Sequence, residues 1–166
     1  MGEHLVLVGL MGVGKSTVGR RLADRLGRVF LDSDSLIEAR AGRSVRDIFA
    51  EDGEAAFRDL ETEVLRDALA SDVPSVIAGG GGIVVRPENR EVLREGAERV
   101  VWLRAGVDTL VARVSQGGHR PLLDADPTGV LTRLDAEREP WYRDVAHVVI
   151  GVDGRSVDDV VEAVLR

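Results

Sequence analysis

GLMGVGKST, Gly9 to Thr17, follows the apolar run HLVLV and fits the phosphate-loop pattern of glycine, four residues, glycine, lysine, then serine or threonine. Gly9, Gly14, Lys15 and Ser16 take the fixed places. The pattern needs a strand before it and a helix after it. Leu5 to Val8 read as a buried strand, while Val18, Leu22 and Leu26 form the apolar stripe of a helix that Gly27 can end. A strand, a glycine turn and a helix start aim several backbone N–H groups and the positive end of the helix dipole at one point, which is a place for an anion. Of the 22 basic residues Lys15 is the only lysine. A compact ammonium on a flexible stem reaches over such a loop to β- and γ-phosphates, where a planar guanidinium is too large and rigid.

At 166 residues and 44% hydrophobic content, the chain can bury one good core and reads as a single domain, residues 1–166. A net charge of -7 leaves no basic surplus for a nucleic-acid polymer or a membrane surface, which points to small partners. The chain has no cysteine, no cationic leader and no apolar run of membrane length, so the expectation is a cytoplasmic protein, acting as a monomer. His4, His119 and His147 are scattered without metal-ligand spacing.

Further apolar runs (RVFLD, PSVIA, RVVWL and AHVVI) alternate with amphipathic stretches, the rhythm of a parallel sheet with crossover helices. The segment after the second strand, about 33–71, carries only helix signals: capping-box spacing at Ser35 with Glu38 and at Ser44 with Asp47, and apolar anchors at Ile48, Phe49 and Phe57. It can form one wall of a pocket. Ser156 with Asp159 starts a last helix with Val157, Val160, Val161 and Val164 toward the core, and Ser115 to Gly129 reads as a mobile loop.

In open α/β sheets ligands bind beyond the carboxyl ends of the strands. There the second strand offers Asp32 and Asp34, which alternation along an extended segment would point the same way. One carboxylate could help hold magnesium and the other accept hydrogen bonds from a substrate hydroxyl; alternatively Asp34 helps start the next helix. Gly79 to Gly82 after the third strand leave the backbone bare for a close approach. Arg58, Arg120 and Arg138 are unremarkable one at a time.

Together these stretches resemble the shikimate kinase family. The resemblance rests on the phosphate loop with VGRRLA after it, DSD, GRSVRDIFAEDGEAAFRDLE, the glycine run, RPLL and EREPWYRDVA, in the family's order over nearly the whole chain. The DIF, GE and FR elements are the specific part. The resemblance implies an α/β fold of the P-loop NTPase type, similar to nucleoside monophosphate kinases: a three-layer sandwich on a five-stranded parallel sheet, with a helical substrate-binding insertion and a lid at about 115–129. It implies transfer of the γ-phosphoryl of ATP, with Mg2+, to the 3-hydroxyl of shikimate, a step of aromatic amino-acid biosynthesis.

The resemblance also implies a role for each site residue. Gly12, Val13, Gly14 and Thr17 surround the nucleotide, and Lys15 contacts its β- and γ-phosphates. Ser16 and Asp32 serve the metal, and Asp34 binds the substrate diol. Arg58 and Arg138 grip the carboxylate, beside Phe49, Phe57 and the backbone of Gly79, Gly80 and Gly81. Arg113 lies on the adenine side, and Arg120 comes from the lid onto the phosphates. Gly82 lengthens a run that is more often three glycines long, and the stretch 117–120 looks shorter than in some members. Chemistry agrees with the acceptor, since a carboxylate gains charge-assisted, bidentate bonds from two arginines and an uncharged polyol does not. The rivals are a gluconate kinase and a nucleotide-dependent switch; a switch reading guanine through NKxD would need a second lysine, which the chain lacks.

Overall fold

The computed structural model describes residues 2–116 and 126–166. Five strands lie where the apolar runs put them: β1 (His4–Val8), β2 (Val29–Asp32), β3 (Ser75–Ala78), β4 (Arg99–Arg104) and β5 (Val148–Gly151). All pair in parallel in the order β2-β3-β1-β4-β5. β1 and β3 are buried at every residue, as expected of inner parallel strands covered on both faces.

α1 (Lys15–Leu26) turns Val18, Gly19, Leu22 and Ala23 inward and packs on β2, β3 and α8 (Val157–Leu165). Gly27, with φ 65°, then reverses the chain into β2. Contrary to the predicted stripe, Leu26 lies outside the core at 37% exposure; it and Val29, at 48%, flank this turn at the open edge of the sheet. The last helix keeps its predicted face, with Val160, Val161 and Val164 buried and a full capping box between Ser156 and Asp159. His4 has a structural place. Its ring nitrogens meet Ser75 Oγ at 2.7 Å and Ser71 O at 2.8 Å, at the end of the sheet away from the phosphate loop.

Residues 33–71 contain α2 (Ser33–Ala41), α3 (Val45–Asp52) and α4 (Glu54–Ala70). They close over their own apolar cluster of Ile37, Ile48, Phe57 and Val64. Ser44 caps α3 by accepting from Asp47 N. The expected Ser35 cap is not there: α2 begins two residues earlier, and Asp32 accepts from the N–H groups of Asp34 and Ser35. A carboxylate at the end of a strand outcompetes a serine already inside the first turn. Asp34 therefore sits on a helix, so it reaches the side of Asp32 through the first helical turn and not through strand alternation.

α5 (Pro87–Gly96) packs between α4 and α7 (Pro127–Val145), and α6 (Val107–Gln116) packs on α7. The ends of the span 115–129 are thus helical, α6 closing at Gln116 and α7 opening at Pro127 under an Asp126 cap. The remainder of that span, with Arg120 and His119, lies outside the described residues.

Candidate active site

The phosphate loop bends through Gly9, Gly12 and Gly14 at φ 146°, 86° and 104°, values that L side chains rarely adopt. α2, α3 and α8 each begin under a side-chain cap, whereas α1 begins after Gly14 with no side-chain cap and no acidic residue in its first turn. Its N-terminal N–H groups and dipole are thus available to an anion. Lys15 Nζ folds back over the loop, donating to Gly9 O at 2.6 Å and Leu10 O at 3.0 Å. A cleft of about 460 Å³ opens beside the loop, between Asp32, Asp34 and Gly80 on one side and Arg113, Arg155 and Val157 on the other.

Asp32 uses both oxygens. Oδ1 caps α2, and Oδ2 accepts from Ser16 Oγ at 2.9 Å. One hydroxyl and one carboxylate form an all-oxygen donor pair against the loop. Among the described residues no group of three or more His, Cys, Asp and Glu gathers for a metal ion. Such a pair suits an ion that keeps most of its water and takes further oxygens from phosphates, as Mg2+ does.

The far side of the cleft is built around the glycine run. None of its glycines has a positive φ, so close approach, and not turn geometry, is what they supply. A Cβ at Gly80 would lie 2.9 Å from Asp34 Oδ1 and 3.4 Å from Glu61 Oε2. A Cβ at Gly81 would lie 3.3 Å from Arg138 Nη1, and at Gly82 its place is taken by the Arg58 guanidinium. Ser33 Oγ fixes the run from α2 by accepting from Gly80 N at 2.8 Å. Two cations and two carboxylates therefore converge on consecutive glycines next to the loop.

Glu61 is buried and Asp34 half-buried, and both are held above their ordinary range. Burial is the main cause for Asp34, reinforced by Asp32 and opposed by Lys15 and Arg58. Burial likewise raises Glu61, against the opposing pull of Arg58, whose Nη1 donates to Glu61 Oε1 at 2.9 Å. Asp34 Oδ1 and Glu61 Oε2 are buried with no hydrogen-bond partner. Buried acceptors of that kind cost stability unless a ligand donates to them.

The family model for shikimate kinase matches residues 11–166. The chain belongs to the shikimate kinase family. A shikimate kinase of Symbiobacterium thermophilum is 54% identical over 166 residues, covering 98% of this chain and 94% of that one. One of Pseudomonas syringae pv. syringae is 47% identical over 164 residues, covering 98% and 94%. In structure, shikimate kinase from Acinetobacter baumannii in complex with shikimate matches with a TM-score of 0.93 at 39% identity over 99% of this chain and 92% of that one. A gluconokinase from Sinorhizobium meliloti, at 21% identity and a TM-score of 0.61, shares the fold.

Within this member of the family, the structure brings Gly12, Val13, Gly14, Lys15, Ser16, Thr17, Asp32, Asp34, Gly79, Gly80 and Gly81 to one cleft. Arg58 and Arg138 stand at the glycine run, each 7% exposed. Arg113 rests on the loop itself, Nη1 donating to Val13 O at 2.8 Å. Phe57 is 4% exposed and belongs to the core of the insertion, with the ring of the half-buried Phe49 tilted against it at 4.6 Å between centroids. Ser33, Glu61, Tyr142 and Arg155 are not singled out from sequence, and Gly82 only as lengthening the glycine run. Glu61 and Tyr142 left a signal: they stand three and four residues after Arg58 and Arg138 on their helices, which puts each on the same face as its arginine.

Proposed function

We propose that this chain is an ATP-dependent kinase that moves the γ-phosphoryl group of ATP to the 3-hydroxyl of shikimate, giving shikimate 3-phosphate and ADP. One observation supports this reading above all. Arg58 and Arg138 come from different helices to neighbouring glycines of one run, beside Asp34 and within reach of the phosphate loop. Two buried guanidiniums suit a carboxylate, and a carboxylate with a buried, unpartnered oxygen suits a hydroxyl; shikimate carries both groups.

In this reading the loop from Gly12 to Thr17, with Lys15, cradles the ATP phosphates, and Arg113 stands on the adenine side. Ser16 and Asp32 would hold Mg2+, which would neutralise phosphate charge. Arg58 and Arg138 anchor the shikimate carboxylate, while Asp34 accepts a hydrogen bond from the reacting hydroxyl. That hydroxyl oxygen bonds to the γ-phosphorus as the bond to the β–γ bridging oxygen breaks, and its proton leaves along the hydrogen bond to Asp34, so positioning and charge neutralisation supply most of the catalysis. Arg120 arrives with the lid at 115–129, residues 33–71 form the acceptor wall, and the whole chain works as one kinase domain. A monomer of the cytoplasm fits a net charge of -7 and a chain without cysteine; no helix among the described residues is long and apolar enough to cross a membrane.

A coupled ADP-release assay over shikimate, gluconate and nucleoside monophosphates tests the reading. Turnover with shikimate alone is expected. Turnover with gluconate in preference to shikimate would overturn the acceptor assignment, and no turnover with any acceptor would favour a switch.

A further inference from the structure

Tyr142 is the only tyrosine in the chain, is 0% exposed and has no place in the chemistry above. Its ring stacks on Trp102 of β4, with 5.6 Å between centroids and 29° between planes, so it cannot swing. Its hydroxyl donates to Gly81 O, and the Arg138 guanidinium, one helical turn earlier on α7, lies at the same glycine and acts electrostatically on the phenol. Burial pushes the phenol up to about 12, so it keeps its proton at neutral pH and remains a donor. Gly81 itself stands between two halves of the site. A Cβ there would be 3.3 Å from Arg138 Nη1 and 3.5 Å from Met11 N of the phosphate loop. A peptide with no side chain keeps its orientation through what its C=O and N–H bond to, and here the C=O bonds to a phenol anchored in the core.

We infer that Tyr142 is a positioning residue for the acceptor site: its single hydroxyl locks the Gly81 peptide and the Arg138 guanidinium into one arrangement, so that the acceptor meets both already oriented. The inference rests on the proposed shikimate reading for its substrate but not for its geometry. Removing the hydroxyl leaves the ring packing intact, frees the Gly81 peptide and takes away a polar neighbour of Arg138. The cost falls on the acceptor and not on the nucleotide, because the phosphate loop has its own bonds from Lys15 and Arg113.

The test is Tyr142→Phe. KM for shikimate is expected to rise up to about tenfold, the consequence of losing one buried hydrogen bond that orients the site, while KM for ATP stays within about twofold. Added to Arg138→Ala, the same change should cost much less than it does in the wild type, since one of its two routes is already gone. In ligand-free protein, amide exchange at 79–82 should speed up about tenfold while α1 is unchanged. Wild-type KM for shikimate together with wild-type exchange would overturn the inference, as would full additivity with Arg138→Ala. If the wild type itself never saturates with shikimate, the functional reading has failed, and the exchange measurement alone decides the role of Tyr142. Should Tyr142→Phe not fold, tyrosine isotope-labelled at Cζ gives a single resonance in the wild type. That resonance should move with shikimate and not with an ATP analogue, and the reverse would overturn the inference.

Discussion

Arg58→Ala should do two separable things, and the structure says how to separate them. Arg58 Nη1 is 2.9 Å from Glu61 Oε1, with side-chain exposures of 8% and 0%. Glu54, the other carboxylate on Arg58, is 3.4 Å away and 62% exposed, so it contributes little. Deleting the guanidinium leaves the Glu61 carboxylate buried without its cation, which costs about 3–5 kcal/mol for a buried pair broken on one side. Glu61 already titrates above its ordinary range because of burial, held back mainly by Arg58, and in Arg58→Ala it should titrate higher still. A carboxyl whose folded pKa exceeds its unfolded one binds more protons folded than unfolded, so its contribution to stability is full at low pH and falls as pH rises past about 4. Urea unfolding should therefore find Arg58→Ala nearly as stable as the wild type near about pH 5, and several kcal/mol weaker near about pH 8. The double variant Arg58→Ala/Glu61→Gln removes the charge as well and should recover most of that stability at the higher pH. It should not recover the acceptor: kcat/KM for shikimate should stay about one to two decades down in both variants. Equal stability of Arg58→Ala and the wild type across this pH range would refute the buried-pair account, and a double variant with wild-type kcat/KM would refute the clamp.

Lys15→Ala should lower kcat by on the order of 10²–10³ with unchanged circular dichroism, since its ammonium serves the phosphates and not the core; near-native turnover would remove the phosphate-loop assignment. Ser16→Ala should raise the Mg2+ concentration needed for half-maximal rate, and Asp32→Asn should do the same with little loss of stability because an amide oxygen still caps α2; an unchanged Mg2+ titration would count against this donor pair. Arg120→Ala should lower kcat by at least about two decades with little change in shikimate affinity, as expected of an arginine that meets the transferring phosphoryl group. A variant within about threefold of wild-type kcat would leave the lid assignment without support.

All five strands were legible because strands buried on both faces must be short, wholly apolar runs, and such runs stand out between amphipathic helices. The phosphate loop was legible because its glycines are dictated by local backbone geometry. Asp34 was placed correctly for the wrong reason: LDSDS reads as extended, but Asp32 ends the strand by capping α2, a competition that depends on where the helix can start. Glu61 was missed because a glutamate in the middle of a helix ordinarily faces water. Its one local mark is its place three residues after Arg58; the packing that buries it beside Gly80 comes from some twenty residues away. Gly82, legible only as lengthening a run, proves to be the glycine over which the Arg58 guanidinium lies.

The strand order puts one glycine run between the two proposed substrate sites. β3 pairs with β2 on one side and β1 on the other, with Ala78 in register with Asp32 and with Leu7. The glycine run leaving β3 is therefore forced between two neighbours: the carboxylates that open α2 at the end of β2, and the phosphate loop at the end of β1. Side chains in that position would separate acceptor from donor. Space for a Cβ at Gly80 ends 2.9 Å away at Asp34 Oδ1, and at Gly81 it ends 3.5 Å away at Met11 N. With glycines there, the carboxylate proposed to take the hydroxyl and the loop proposed to take the phosphates stand on either side of bare backbone. In-line transfer requires that close approach, since misplacing the reacting atoms by about 1 Å can lower the rate by on the order of 10²-fold.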